Sequence, residues 1–254
     1  MHVRLSDGYE MFVQEVGSGF PLVVLHGGPG LDHSSFRPWL DPLGDELRLL
    51  YVDERGQGRS ARVDPETLSL EVFARDVDQL AEALGLDRFA LLGHSFGAIV
   101  TTWHAIELGT AAAYVISGGG DASEPMLADV EASLAAMGEE GAAITESWER
   151  EKTVESEEEL NELLRTQMPF HFHGEPPPGY GDFDYRPRLR EIRRPTLIVV
   201  GEHDRTTSVR AARVLHEGIE GSELVVVPNA GHMSFVEAQE PYLDAMRTFL
   251  RRVA

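Results

Sequence analysis

Gly93-His94-Ser95-Phe96-Gly97 decides the fold, because it lies between an apolar run, Phe89-Ala90-Leu91-Leu92, and a helix-compatible segment from Ala98 onward. In that setting a Gly-x-Ser-x-Gly is a strand-to-helix elbow. The serine sits in a strained turn, and the flanking glycines keep side chains from colliding as its hydroxyl is pushed into the open. Ser95 is therefore the first candidate nucleophile.

Upstream of the elbow, Leu49-Leu50-Tyr51-Val52 is a second buried apolar run, and a helical pattern over about Leu70 to Leu84 separates the two. Strand, helix, strand implies a parallel sheet with a crossover helix. Ala113-Tyr114-Val115-Ile116-Ser117, Leu197 to Val200 and Leu224 to Val227 add strands, while Val209 to His216 and Pro241 to Arg252 read as helices. The first 25 residues suggest an antiparallel opening: Val3 to Leu5, Glu10 to Val16 and Pro21 to Leu25, parted by Ser6-Asp7-Gly8 and Gly17-Ser18-Gly19. Between Asp121 and about Arg193 the pattern breaks. Ala- and Glu-rich helical segments give way to Gly174-Glu175-Pro176-Pro177-Pro178-Gly179-Tyr180-Gly181, which fits neither a central strand nor a helix. The expected organisation is an α/β core over residues 1–120 and 194–254, with helices on both faces of a mostly parallel sheet. A short helical lid is expected at 121–193.

A serine hydroxyl is a poor nucleophile at neutral pH, so Ser95 needs a base to take its proton and a carboxylate to orient that base. Asp204 ends Gly201-Glu202-His203-Asp204, directly after the strand Leu197 to Val200. His232 follows Val225-Val226-Val227-Pro228-Asn229-Ala230-Gly231, again in a loop beyond a strand. Open parallel sheets assemble their sites beyond the carboxyl ends of their strands. The chain order Ser95, Asp204, His232 is nucleophile, acid, base, which is the α/β-hydrolase order. Asp53, after Leu49 to Val52, competes for the acid's place, with Glu202 a weaker alternative. Acyl transfer also requires donors for the tetrahedral oxyanion, each contributing about 3 kcal/mol of transition-state stabilisation. The loop His26-Gly27-Gly28-Pro29-Gly30 supplies candidates: Gly28 N–H, paired with Phe96 N–H, for the oxyanion, and Gly27 as a substrate contact. His26 reads as an internal hydrogen-bonding residue.

Composition narrows the function class. A 254-residue chain with 42% hydrophobic residues buries one substantial core. A net charge of −21 disfavours nucleic acid and anionic membrane as partners. Arg186, Arg188, Arg190, Arg193 and Arg194 read as a solvated link into a strand, and Glu155 to Glu159 as a solvated helix face. With no cysteine, disulfides and thiolate sites are excluded. His171-x-His173 lacks a third ligand at metal spacing, and no phosphate-binding glycine loop leads into a helix, so neither metal nor cofactor is expected. Met1 to Gly8 lacks the apolar stretch of a secretion signal, and no run approaches the ~20 apolar residues of a spanning helix. A soluble cytoplasmic protein is expected.

These residues resemble the α/β-hydrolase family and, within it, the proline iminopeptidase group. Three blocks carry the narrower likeness: His26-Gly27-Gly28-Pro29-Gly30, Asp53-Glu54-Arg55-Gly56-Gln57-Gly58-Arg59-Ser60, and Gly93-His94-Ser95-Phe96-Gly97. The second is similar to the family's Asp-Gln-Arg-Gly-x-Gly-x-Ser segment, with Glu54 replacing glutamine, and reads as a buttressing loop in which Asp53 and Arg55 pair. The resemblance implies release of an N-terminal proline, or cleavage of an amino-acid amide, from a small-molecule or short peptide substrate. It also implies lid glutamates that hold the substrate's ammonium. Ser147-Trp148-Glu149 resembles the end of the family's Trp-x-x-Trp-Glu element, which makes Trp148 and Glu149 substrate-binding candidates, although Thr145 or Ile144 stands at the first tryptophan. Met168 to His173 offers aromatics where the family carries a second glutamate. Phe96 replaces the usual tryptophan after the nucleophile, His94 gives an esterase-like Gly-His-Ser form, and the lid is short. Carboxylesterases and lactonases use the same machinery, as do carbon–carbon bond hydrolases and perhydrolases. A hydrolase-like ligand receptor is the alternative from outside enzymes.

Overall fold

Among the described residues, runs rich in β-branched and aliphatic residues form eight strands: β1 (His2–Arg4), β2 (Glu10–Gly17), β3 (Phe20–Leu25), β4 (Leu47–Asp53), β5 (Ala90–His94), β6 (Ala113–Ser117), β7 (Thr196–Gly201) and β8 (Glu223–Val227). They make one sheet in the order β1-β2-β4-β3-β5-β6-β7-β8. The computed structural model describes residues 1–151, 162–163, 166–167 and 183–254, with only the backbone described at Glu149 and Glu151. The stretch Gly174 to Gly181, the Glu155 to Glu159 cluster, His171 and His173 lie outside the described residues.

From β3 to β8 every pairing is parallel, and only β1 and β2 run antiparallel to their neighbours. The expectation that Pro21 to Leu25 belongs to the antiparallel opening is thus corrected. Its residues Leu22 to Leu25 are all buried and sit between β4 and β5, as an apolar run covered on both faces must.

Helices cover both faces. Helix α1 (Leu70–Ala83) starts at Ser69, whose hydroxyl accepts from Val72 N–H, and buries Leu70, Phe73, Ala74, Val77, Leu80 and Ala81 at helical spacing. With α2 (Phe96–Glu107) it fills a core containing Leu25, Phe96, Val100 and Ile116. On the opposite face α6 (Gln239–Leu250) buries Tyr242, Leu243, Met246, Phe249 and Leu250, each side chain contributing about 1.5–3 kcal/mol. Between these layers the sheet alternates its side chains, Val23 and Leu25 to one core, Leu22 and Val24 to the other.

Helices α3 (Ser123–Met137) and α4 (Glu139–Glu151) lie between β6 and β7 in the chain and pack on one another through Val130, Ile144 and Trp148. The ends of this inserted segment are stitched together. Ser123 N–H donates to Phe183 O at 2.9 Å, Phe183 N–H to Ser123 Oγ at 2.8 Å, and Tyr185 N–H to Asp121 O at 3.0 Å. Arg210, on α5 (Val209–Gly218), grips buried Asp121 with two bonds of 3.1 Å and Asp129 of α3 with one of 3.0 Å.

Arg55 does not pair with Asp53. It bonds Asp76 at 2.6 and 2.8 Å and Asp7 at 2.6 Å, because α1 carries Asp76 directly over it. Arg186, Arg188 and Arg193 pair with Asp184, Glu191 and Glu220 at the surface, where such pairs contribute little. Among the described residues no helix is long and apolar enough to cross a membrane.

Candidate active site

The elbow is built from backbone constraints. Ser95 adopts φ 54°, ψ −115°, a conformation costing a non-glycine residue about 1–3 kcal/mol. It is held there by Ser95 N–H donating to Ser117 O at 3.0 Å and Gly97 N–H donating to His26 O at 3.0 Å. A Cβ on Gly97 would lie 2.5 Å from Leu25 O and 2.7 Å from His26 O, and one on Gly93 would collide with the Gly97 carbonyl. The two glycines are therefore a condition of the turn, as the motif implies.

Asp204 and His232 come together from adjacent loops. His203 N–H donates to Ala230 O at 2.8 Å and Glu202 N–H to Val227 O at 2.9 Å, so the loops beyond β7 and β8 are bonded side by side. His232 Nδ1 then lies 2.9 Å from Asp204 Oδ2. Three further donors reach the carboxylate: Thr206 N–H and Thr207 N–H to Oδ1, both at 2.9 Å, and the Thr207 hydroxyl to Oδ2 at 3.0 Å. Burial pushes the Asp204 carboxyl up. The neighbouring His232 ring and the hydrogen bonds from His232 and Thr207 outweigh that burial, and the net direction is down. An acceptor-only carboxylate requires Nδ1 to carry the imidazole proton, leaving Nε2 as the basic nitrogen. The ring rests against Gly118, φ 53°, where a Cβ would meet its Cε1 and Nδ1 at 3.2 Å.

Ser95 and His232 both lie beside the carboxyl end of β6, the one bonded to Ser117 and the other resting by Gly118. The His94 and His232 ring centroids are 4.7 Å apart, and Gly118 follows Ser117, the partner of Ser95 N–H. Among the described residues no hydrogen bond links Ser95 Oγ to His232, a contact that in hydrolytic sites commonly tightens only around substrate. Of the competing acids, Asp53 accepts from His33 N–H and Nδ1 and from Arg59 N–H, and Glu202 is half exposed and accepts from Asn229 N–H. Neither bonds His232 in the described structure.

The glycine loop passes over the serine: a Cβ on Gly27 would lie 3.2 Å from Ser95 Cβ. Gly28 N–H has no partner among the described residues, and Phe96 opens α2, so its N–H belongs to that helix's first turn. His26 is internal, as expected. Its Nε2 accepts from Glu54 N–H at 3.2 Å and its Nδ1–H donates to Gly27 O at 2.7 Å, while burial keeps the ring neutral.

Sequence reasoning missed a layer beneath the serine. Tyr242 OH donates to Ser117 Oγ at 3.0 Å, and Ser117 Oγ lies 3.3 Å from His94 Nδ1. Burial, then the charge of a protonated His232, drives His94 well below the usual histidine range, so it stays neutral. The only hint in the sequence is that His94 abuts Ser95. Asp32, His33 and Asp53 bring ligand-type atoms within 4.8 Å of one another, yet the Asp32 and Asp53 oxygens already accept from Ser34, His33 and Arg59 N–H groups. Trp148 packs between α3 and α4. The side chain of Glu149 and residues 168–182 lie outside the described residues.

A parallel sheet with a strained serine at the strand-to-helix elbow and a bonded aspartate and histidine beyond later strands is the architecture of hydrolases that work at the sheet's carboxyl edge. The chain belongs to the alpha/beta hydrolase family, whose model matches residues 22–245. It is 28% identical to a proline iminopeptidase of Saccharolobus solfataricus over 93% of this chain and 86% of that one. Among solved structures it is similar to the proline iminopeptidase of Mycobacterium smegmatis, with a TM-score of 0.78 and 20% identity, covering 99% of this chain and 97% of that one. It is also similar to a thermophilic esterase of Thermogutta terrifontis, with a TM-score of 0.73 and 26% identity, covering 100% and 98%.

Proposed function

We propose that this hydrolase attacks a small acyl substrate through Ser95, with His232 as base and then acid and Asp204 orienting the imidazole. The observation that carries this reading is the 2.9 Å contact of His232 Nδ1 with the buried Asp204 carboxylate, beside a serine held at φ 54°. His232 Nε2 takes the Ser95 proton as Oγ adds to the carbonyl carbon. Gly28 and Phe96 N–H groups receive the oxyanion, and the protonated imidazole gives its proton to the leaving amine or alcohol. Water then attacks the acyl-enzyme by the same steps and frees the acid. No cofactor is required.

The substrate class that the relatives favour is an N-terminal prolyl or aminoacyl amide, and curated relatives named proline iminopeptidase support it. On this reading residues 121–193 form the lid over the site and Glu149 binds the substrate ammonium, with Gly27 and Trp148 beside it. An esterase or lactonase is the second reading, favoured by the Gly-His-Ser form at His94 and by the likeness to a solved esterase. Steady-state hydrolysis of prolyl p-nitroanilide beside p-nitrophenyl acetate and butyrate separates the two, with Ser95→Ala as control. Turnover of the prolyl amide that disappears in the control, and falls far more than ester turnover in Glu149→Gln, is the expected result. Cleavage of esters alone would keep the triad and discard the amine site.

A further inference from the structure

The buried Thr207 hydroxyl touches both the acid and the base. Its Oγ1 is 3.0 Å from Asp204 Oδ2 and 3.4 Å from His232 Nδ1, and a Cβ on Gly118 would meet this same Oγ1 at 3.2 Å. The hydroxyl, the carboxylate oxygen and the imidazole nitrogen thus form a closed triangle under Gly118. Thr207 is not the cap of the helix that follows, since Ser208 takes that place with its own side chain. The threonine's backbone N–H already holds Asp204 Oδ1, so the turn does not need the hydroxyl to close. The side chain's polar atom is left with one evident task.

We propose that Thr207 is a positioning residue whose hydroxyl holds Asp204 Oδ2 and shares that oxygen with His232, so setting the direction and strength of the Nδ1–H bond. This rests on the reading of Ser95, Asp204 and His232 as the reacting groups. A carboxylate oxygen that accepts from two donors is fixed in the plane both define, and each donor draws on charge the other would use. With the hydroxyl removed, Oδ2 rotates more freely while its whole charge falls to the imidazole N–H. Two consequences follow in opposite senses: the His232 Nδ1–H bond tightens, and the ring's aim at the serine worsens. A side chain that merely filled space would produce neither.

The test compares Thr207→Val, which keeps shape and loses the hydroxyl, with Thr207→Ser, which keeps the hydroxyl and loses the methyl. Thr207→Ala gives a second comparison should the valine variant not fold, since it differs from serine by the hydroxyl alone. Two quantities are read: the downfield proton resonance of His232 Nδ1–H, and kcat and KM on p-nitrophenyl butyrate or prolyl p-nitroanilide, whichever is turned over. Expected is a downfield move of the resonance in the valine variant, with kcat lower by about tenfold, the scale of one hydrogen bond to a charged group, and KM unchanged. Serine restores both. An unmoved resonance in valine and alanine, or a serine variant as slow as valine, overturns the assignment. Turnover that survives Ser95→Ala overturns instead the triad reading, and the resonance, which needs no turnover, still reports whether the hydroxyl holds the pair.

Discussion

Replacing Glu54 by glutamine stabilises the fold at neutral pH, by an amount that grows with pH. Glu54 is fully buried, and neither carboxyl oxygen has a hydrogen-bond partner among the described residues. The nearest basic atom, His26 Nδ1, is 3.5 Å away and already donates to Gly27 O. Burial, then the charges of Asp76 and Asp53, push the carboxyl well above the ordinary glutamate value of 4.5. A folded value above the unfolded one means the unfolded chain releases this proton first. The stability is complete below 4.5 and drains away as pH rises, until the folded carboxyl itself ionises. Over that window the loss is about 1.4 kcal/mol per pH unit. Glutamine has the same shape and no charge to release, and a cavity of about 10 Å³ lined by Glu54, Arg55 and Asp76 leaves room for roughly one water beside its amide. Urea denaturation of both proteins at unit pH steps from 4 to 8 reads the difference, since titrating groups that do not interact with Glu54 cancel between them. A difference that does not change with pH, or a glutamine variant less stable at pH 7, would refute the argument.

Ser95→Gly relieves the φ 54° strain at the elbow, so it raises the unfolding free energy by about 1 kcal/mol while abolishing turnover; a lowered midpoint in thermal unfolding contradicts it. Asp204→Asn leaves the loop in place but lets the amide donate to Nδ1, which moves the imidazole proton to Nε2 and removes the base; kcat falls by about 10⁴ with KM little changed. A loss confined to KM in single-turnover and steady-state kinetics would show that Asp204 holds substrate and not the imidazole.

The sheet is legible because its central strands are apolar runs and the glycines of its elbow stand where only hydrogen fits. Phe89 to Leu92 followed by Gly93 and Gly97 admits almost no reading but an elbow, and the structure puts Ser95 there at positive φ. The loops of Asp204 and His232 follow from the strands before them, and the two lie side by side because β7 and β8 are parallel neighbours. What sequence left open depends on contacts between distant turns. Arg55 meets Asp76 because α1 folds back across it, and nothing local to Asp53-Glu54-Arg55 foretells that. The short turns before Pro21 to Leu25 suit a hairpin, while burial on both faces, a tertiary fact, makes the segment central. Thr207 is illegible in the sequence for the same reason: a threonine three residues past an aspartate reads as a turn until the histidine from another loop arrives beside it.

Three features stand out: the strained Ser95, which costs the fold stability, the ionised Asp204 under full burial, whose bonds more than offset that burial, and the unpartnered Glu54, which costs the fold stability again. The first two share a purpose. Their strain and charge converge on one edge of the sheet, and both are held by bonds from named neighbours: Ser117 O at the elbow, and four donors around the carboxylate. Glu54 differs in kind. Among the described residues no donor bonds its side chain, and the bond from its backbone N–H to His26 Nε2 does not depend on the side chain at all. Strain stored for function should be inseparable from activity, whereas a buried acid that serves no bond should be removable without loss. Glu54→Gln should therefore gain stability with turnover unchanged, where Ser95→Gly gains stability only by losing it. If glutamine at position 54 instead slows turnover while KM holds, the carboxyl's 3.5 Å approach to His26 is part of how the glycine loop is aimed, and the burial of Glu54 belongs with the other two.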